Sequence, residues 1–298
     1  MGYRSIVIAN PAKLSASSSR LVIDTGEKSL IPLEDIRCVM LENRQITLTS
    51  SLITQLGEAG ITVFACSGYH LPASVFYPMN THSRQLKQIR LQIAQTQPAQ
   101  KRLWQQIVEM KIKNQANCLE FCGLPGHDKL RGMLPLVRSG DPANVDGRAA
   151  AVYFKALFGK DFTRSQDNST NAVLNYGYAI FRGLIARTLA VYGFESCLGL
   201  HHTSELNNFN LADDLIEPFR PIVDLHAALN CRDIIQFSTA EKAALLDLTN
   251  TEVLSGGERH SAAYAVERLV QSYTACLNKQ KDRLVLPVLK GLERHEYE

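Results

Sequence analysis

The sequence predicts an α+β fold: a small β-rich domain over residues 1–80, then a larger α-helical domain over residues 81–298. Three observations carry this. The first part breaks into short apolar runs separated by turn-forming clusters. The texture changes at Tyr77-Pro78-Met79-Asn80, where Pro and Asn end the last run. Beyond Arg84, apolar residues recur at helical spacing.

Within the first part, Tyr3–Ile8, Arg20–Asp24, Ser29–Pro32 and Ile36–Leu41 read as strands, with SASSS and DTGEK as turns between them. Thr49 to Gly60 reads as one short helix. Ile61–Ala65 and Leu71–Phe76 resume strand character. Glu58 is the one charged residue between Gln45 and Ser83, so much of that stretch is expected to be buried. In the second part, Leu86, Ile89 and Ile93 recur at i, i+3, i+7, and Leu103, Ile107 and Met110 do the same, with Pro98 between the two helices. Residues 123–142 contain four Gly and three Pro and are expected to form a loop or broken helix. Further helices are expected over Asp146–Leu157, Asn171–Tyr192, Leu211–Leu229 and Ala262–Leu277.

Composition bounds the function. With 298 residues, 45% hydrophobic and 20% charged, the chain is neither a disulfide mini-protein nor disordered. Net charge is +3, but unevenly spread: residues 81–140 carry ten basic against three acidic side chains, and residues 141–298 carry sixteen against twenty. A basic middle beside an acidic remainder suits polyanion contact next to a cation-ready site; a solvated helical face would give the same pattern. The seven cysteines lack zinc-finger spacing and read as buried thiols of a reducing cytosol. No apolar run approaches ~18 residues, and the N-terminus has no signal-peptide core, so a cytoplasmic protein without membrane attachment is expected.

No P-loop, dinucleotide fingerprint, HExxH or GxSxG is present, which weakens the NTPase, dehydrogenase, zinc-protease and hydrolase readings. What remains is GLHHTSELNNFNLADDLIEPFRP, which gathers His201, His202, Asp213, Asp214 and Glu217. On a helix, either aspartate shares a face with Glu217. Neighbouring carboxylates need a cation, a basic group or a proton to relieve them, and oxygen ligands with one imidazole suit Mg²⁺ or Mn²⁺. The plainer reading makes Asp213 and Asp214 a helix N-terminal cap and a first-turn acid, and pairs Glu217 with Arg220. Adjacent histidines in extended chain point to opposite faces, so one at most is expected to meet the carboxylates. Asp146 opens a helix, where it reads as a cap or as a second acid meeting Glu217.

At these residues the sequence resembles the CRISPR-associated endonuclease/integrase family, the metal-dependent adaptation integrase, most like its type II branch. The pieces that carry the resemblance are YRSIVIANPAKLS, RLWQQIVEMKIKNQA, AAVYFKALFGKDFTR, NAVLNYGYAIFRGLIARTL and the GLHH segment, in order over nearly the whole chain. The resemblance implies an N-terminal β-sandwich-like dimerisation domain and an α-helical catalytic and DNA-binding domain. It also implies a homodimer and a small ferredoxin-like second adaptation protein as partner; whether an effector nuclease joins stays open. The family's catalytic and metal-binding trio falls on Asp146, His202 and Glu217, with Asp214 as acidic neighbour. The family has glutamate where this chain has Asp146, one methylene shorter, which leaves the site's strength in question.

The implied reaction is insertion of pre-spacer 3′-hydroxyl ends of double-stranded DNA into a repeat array by Mg²⁺- or Mn²⁺-dependent transesterification. Arg84, Lys87, Arg90, Lys101, Arg102, Lys111, Lys113 and Arg220 are the candidates to grip phosphates. Two alternatives stay open: a metal-dependent nuclease of branched DNA, and a DNA-end-binding scaffold with a weakened site.

Overall fold

A computed structural model describes residues 4–68, 72–76, 84–231 and 237–296. The expected boundary at Tyr77–Asn80 lies outside the described residues, but strands dominate before it and helices after it. The first strands are β1 (Arg4–Ile8), β2 (Lys13–Ser17), β3 (Arg20–Asp24), β4 (Lys28–Pro32), β5 (Ile36–Leu41) and β6 (Thr47–Leu48). Helix α1 (Ser50–Glu58), β7 (Thr62–Cys66) and β8 (Pro72–Phe76) complete this part. They form two four-stranded sheets, ordered β1-β5-β7-β8 and β4-β3-β2-β6.

The alternation of side chains on β5 explains how the sheets are used. Val39 and Leu41 join Leu14, Leu21, Leu52 and Leu56 in a core shared by the two sheets and α1. Cys38 and Met40, on the other face, join the core of the helical part. A strand covered on both faces needs no polar alternation, which is why IRCVML reads as a continuous run, and its parallel pairing with β1 and β7 fits that burial.

The helical part begins with α2 (Gln85–Ile93), α3 (Gln97–Phe121), α4 (His127–Met133), α5 (Val145–Phe158) and α6 (Ser169–Val191). It continues with α7 (Asn210–Ile216), α8 (Arg220–Asn230), α9 (Thr239–Asp247), β9 (Thr251–Ser255), β10 (Glu258–Ser261), α10 (Ala262–Leu277) and β11 (Pro287–Arg294). Pro98 sits in the first turn of α3, where its missing N–H costs nothing. The stretch expected as loop or broken helix holds α4 and a short 3-10 turn, Leu134–Leu136.

Two features depart from the sequence reading. The helical part carries its own three-stranded antiparallel sheet, β10-β9-β11, whose last strand packs on α3 and α8. Strand β11 is paired as far as Arg294, and the His295 N–H donates to the Asn250 carbonyl at 2.9 Å. Helix α2 forms where expected but turns its apolar stripe outward: Leu86 is 61% and Ile93 69% exposed, while Gln88 and Gln92 are buried. The cause is the Gln92 amide, which donates to the Glu195 carbonyl at 3.0 Å and accepts from the Glu195 N–H at 2.9 Å.

Candidate active site

Asp146 enters from the first turn of α5. The capping is done by its neighbours: Asp141 accepts from the N–H groups of Val145 and Asp146 at 2.9 Å each, and Asn144 accepts from Gly147 at 3.1 Å. A Cβ on Gly147 would lie 2.7 Å from the Asn144 side-chain oxygen, so a larger residue there would push the capping side chain aside. With the helix end satisfied, the Asp146 side chain is free for another partner.

That partner is Lys111, on the buried side of α3. Its Nζ lies 2.7 Å from Asp146 Oδ1, 3.0 Å from Asp146 Oδ2 and 2.7 Å from Glu217 Oε2. Arg220 donates from Nε to Glu217 Oε1 at 2.9 Å. One ammonium thus bridges the two carboxylates, and Glu217 divides its oxygens between two cations. Burial alone would push the Glu217 carboxyl up, but Lys111 and Arg220 together hold it down at about 2. Burial likewise works against the Lys111 charge, and Glu217 and Asp146 outweigh it, so the ammonium is held above its ordinary value.

The backbone at Glu217 is set by two prolines. Helix α7 stops at Ile216, a 3-10 turn covers Glu217–Phe219, and α8 restarts with Pro221 in its first turn. Asn114, one turn beyond Lys111 and 1% exposed, donates to the Pro218 carbonyl at 2.7 Å and the Pro287 carbonyl at 2.9 Å. It also accepts from the Leu289 N–H at 3.0 Å. This single side chain ties α3, the Glu217 turn and β11 together.

His202 is held by Asp214, which is fully buried. The carboxylate accepts from the N–H groups of Leu200, His201 and His202 at 2.6, 3.0 and 3.1 Å, and its Oδ1 lies 2.6 Å from His202 Nδ1. A carboxylate only accepts, so Nδ1 carries the proton and the neutral ring keeps its Nε2 lone pair free. The hydrogen bond to Asp214 raises the ring's pKa against burial, with added charge from Asp214, Glu217 and Asp213. Gly199 makes the turn: a Cβ there would meet the His202 carbonyl oxygen at 2.2 Å. His201 stacks flat on buried Trp104, ring centroids 4.2 Å apart, so it anchors the loop. Asp213 pairs with Arg182 at 2.7 Å. Asp213 stands in the first turn of α7, as the plainer reading expects of one aspartate, and neither aspartate is its N-cap.

A second layer stands behind Arg220. Its guanidinium lies 4.5 Å from the centroid of the Tyr178 ring. Tyr178 and Tyr153 both donate to buried Asp224, the latter at 2.9 Å. Arg164 lies 5.3 Å from the same Tyr178 ring and donates to Asn171 and to Asn175, the latter at 2.7 Å.

Of the basic candidates, Arg84, Lys87, Arg90, Lys101, Arg102 and Lys113 are on the surface. Lys111 and Arg220 are corrections. Lys111 is buried and Arg220 half-buried, and both spend their charge on Asp146 or Glu217, so neither is an open phosphate grip. The sequence reading missed a basic strip that Lys279, Lys281 and Arg283 form beside Arg102 and Lys113, along grooves between α3 and the segment before β11. The NKQKDR run was its signal. It also missed Asn114 and the role of Lys111.

The donor chemistry suits a hard divalent cation at the Lys111 position. Asp146 Oδ1 and Glu217 Oε2 are sealed from water and face one positive charge without a well-angled hydrogen bond. Among the described residues, no three His, Cys, Asp or Glu side chains converge as a metal cage.

Comparison with known proteins decides the family. The family model for CRISPR associated protein Cas1 matches residues 6–135 and 140–254. The CRISPR-associated endonuclease Cas1 of Neisseria meningitidis is 40% identical over the whole of both chains. The chain belongs to the Cas1 family. Among solved structures, a casposase bound to integration product shares the fold at a TM-score of 0.74 and 18% identity, over 96% of this chain and 93% of that one. A Cas6-RT-Cas1–Cas2 complex matches at 0.68 and 17%, over 96% of this chain and 36% of that one. Cas1 membership agrees with the resemblance carried by the GLHH segment, and the α+β architecture agrees with that of these neighbours. No helix among the described residues is long and apolar enough to cross a membrane.

Proposed function

We propose that this Cas1-family protein joins DNA 3′-hydroxyl ends into a repeat array by metal-dependent transesterification, with Asp146, His202 and Glu217 as the catalytic and metal-holding residues. The observation that carries the reading is the convergence of Asp146 and Glu217, from elements far apart in sequence, on one buried cationic position. The casposase neighbour, solved with an integration product, supports joining over cutting alone.

The reaction conserves P–O bonds. The incoming 3′-oxygen forms a bond to a phosphate of the target strand as the bond to that strand's own 3′-oxygen breaks, and the proton of the attacking hydroxyl leaves as the departing oxygen gains one. Mg²⁺ or Mn²⁺, held by Asp146, Glu217 and the free Nε2 of His202, would offset phosphate charge and acidify the attacking hydroxyl. Arg220 fixes Glu217 by its Oε1, which keeps the carboxylate turned toward Lys111 and Asp146. Asp214 fixes the His202 tautomer so that Nε2 stays a lone-pair donor. Phosphate contacts fall to Arg84, Lys87, Arg90, Lys101, Arg102 and Lys113, joined by Lys279, Lys281 and Arg283. They carry no base information, so DNA binding should be sequence-tolerant and salt-sensitive.

The strand-rich N-terminal part (residues 1–80) is proposed to pair two copies. A small second adaptation protein is the proposed partner; among the similar solved structures is a Cas6-RT-Cas1–Cas2 complex, in which a Cas1 part is assembled with Cas2. The test is product analysis. Purified protein, with and without the partner, is incubated with duplex 3′-hydroxyl ends and supercoiled repeat-bearing plasmid in Mn²⁺, Mg²⁺ or EDTA. Metal-dependent joined strands are expected. Cut strands alone would make it a nuclease, and DNA binding without either product would make it a scaffold.

A further inference from the structure

The ammonium between Asp146 and Glu217 fills the position a divalent ion would need. Its contacts are 2.7 Å to Asp146 Oδ1 and 2.7 Å to Glu217 Oε2, and the Lys111 side chain is only 11% exposed. Lys111 comes from the middle of the 25-residue helix α3, anchored on both sides by buried Ile107, Val108, Ile112 and Asn114, so the placement is built into the core. The two cations on Glu217 differ. Arg220 takes Oε1 from the neighbouring turn of the same segment, and it is backed by the Tyr178 ring. Lys111 takes Oε2 and both oxygens of Asp146, which are the atoms a metal would use.

We infer that Lys111 is a resident competitor for the catalytic cation: it holds Asp146 and Glu217 together in the metal-free protein and must be displaced before a divalent ion binds. This rests on the metal-dependent reading above. Two carboxylates facing one buried point repel each other unless a positive charge lies between them. Lys111 supplies that charge, so the site is assembled before any ion arrives. An ion that enters must replace the ammonium's contacts to both carboxylates, and the apparent affinity falls accordingly. Lys111 is therefore a positioning residue that sets the divalent-ion threshold, and the short side chain of Asp146 is matched to an ammonium at contact distance.

The test reads metal binding directly. Mn²⁺ binding to the full chain is measured by electron paramagnetic resonance and calorimetry, without DNA, for wild type, Lys111→Met, Lys111→Ala and Glu217→Gln. At least tenfold tighter Mn²⁺ binding is expected in Lys111→Met and Lys111→Ala, with loss in Glu217→Gln. Unchanged or weaker binding in the folded Lys111 variants, with wild-type binding still dependent on Glu217, would overturn the competitor role and leave the metal reading intact. No Mn²⁺ binding in any form would overturn both. Should neither Lys111 variant fold, amine acylation of wild type followed by mass spectrometry decides it. Lys111 should become several-fold more reactive on adding Mn²⁺, and unchanged protection would overturn the inference.

Discussion

Asp214 Oδ1 lies 2.6 Å from His202 Nδ1, and the same carboxylate accepts the backbone N–H groups of residues 200–202. One buried acid therefore sets the path of the GLHH loop and the protonation of its second histidine. The hydrogen bond raises the ring's pKa above 6.5, so the imidazole must lose its proton above that pH to offer Nε2 to a cation. Strand-transfer rate should rise with pH through an inflection above 6.5. Asp214→Asn should move that inflection down while lowering stability by roughly 3–5 kcal/mol, as expected when one partner of a buried charged network is removed. A pH–rate profile unchanged in the variant would contradict the assignment.

Glu217 gives a stability signature at the acid end. Its carboxyl is held at about 2, against an ordinary 4.5, by Lys111 and Arg220 acting against burial. A depressed carboxyl stabilises the fold above its unfolded value and loses that contribution as pH falls through the folded one. The stability difference between wild type and Glu217→Gln should therefore shrink between about pH 4.5 and 2. Thermal unfolding across that window checks it; a constant difference would show that the two cations do not hold the charge.

Asp224 works with the opposite sign. Burial pushes it up to about 6, despite the hydroxyls of Tyr178 and Tyr153 and the nearby Arg220 charge. A raised acid stabilises the fold below its unfolded value and loses that contribution as pH rises through the folded value. Asp224→Asn should gain in melting temperature relative to wild type as pH rises from 4 to 6. A gap that stays flat over that range would contradict it.

Asn114→Leu should cost about 2–4 kcal/mol, because it strips partners from the buried Pro218 and Pro287 carbonyls and the Leu289 N–H. Since Pro218 follows Glu217, activity should fall as well. Denaturant unfolding of the variant measures the first effect, and a change below 0.5 kcal/mol would show that the tie is dispensable.

Much of this was legible in the sequence because local and tertiary preferences agree. The continuous apolar run of β5 and helix α10, found over the expected Ala262–Leu277, are examples. Where they disagree, the reading slipped. SASSS, residues 15–19, reads as a turn by its serines, yet residues 15–17 belong to β2, whose Leu14 pairs with Ile23 and is buried. The Gly256-Gly257 turn and the Ser238/Glu241 capping box marked β9–β10 and α9 but were not read as such. In the site, spacing brought out the acids and histidines because their types are scarce. Lys111 was grouped with the surface cations by charge, although it stands four residues after Ile107 and seven after Trp104, on the buried face of α3. Its partner Asp146 is distant in sequence, and only the packing of α3 against α5 brings them together.

The most direct test of the central claim is metal-dependent strand transfer by wild type, Glu217→Ala and Asp146→Glu, with supercoiled repeat-bearing plasmid and duplex 3′-hydroxyl ends in Mn²⁺. The account predicts joined products with wild type and Asp146→Glu, none with Glu217→Ala, and none for any form in EDTA. Joining by Glu217→Ala at the wild-type rate would contradict it.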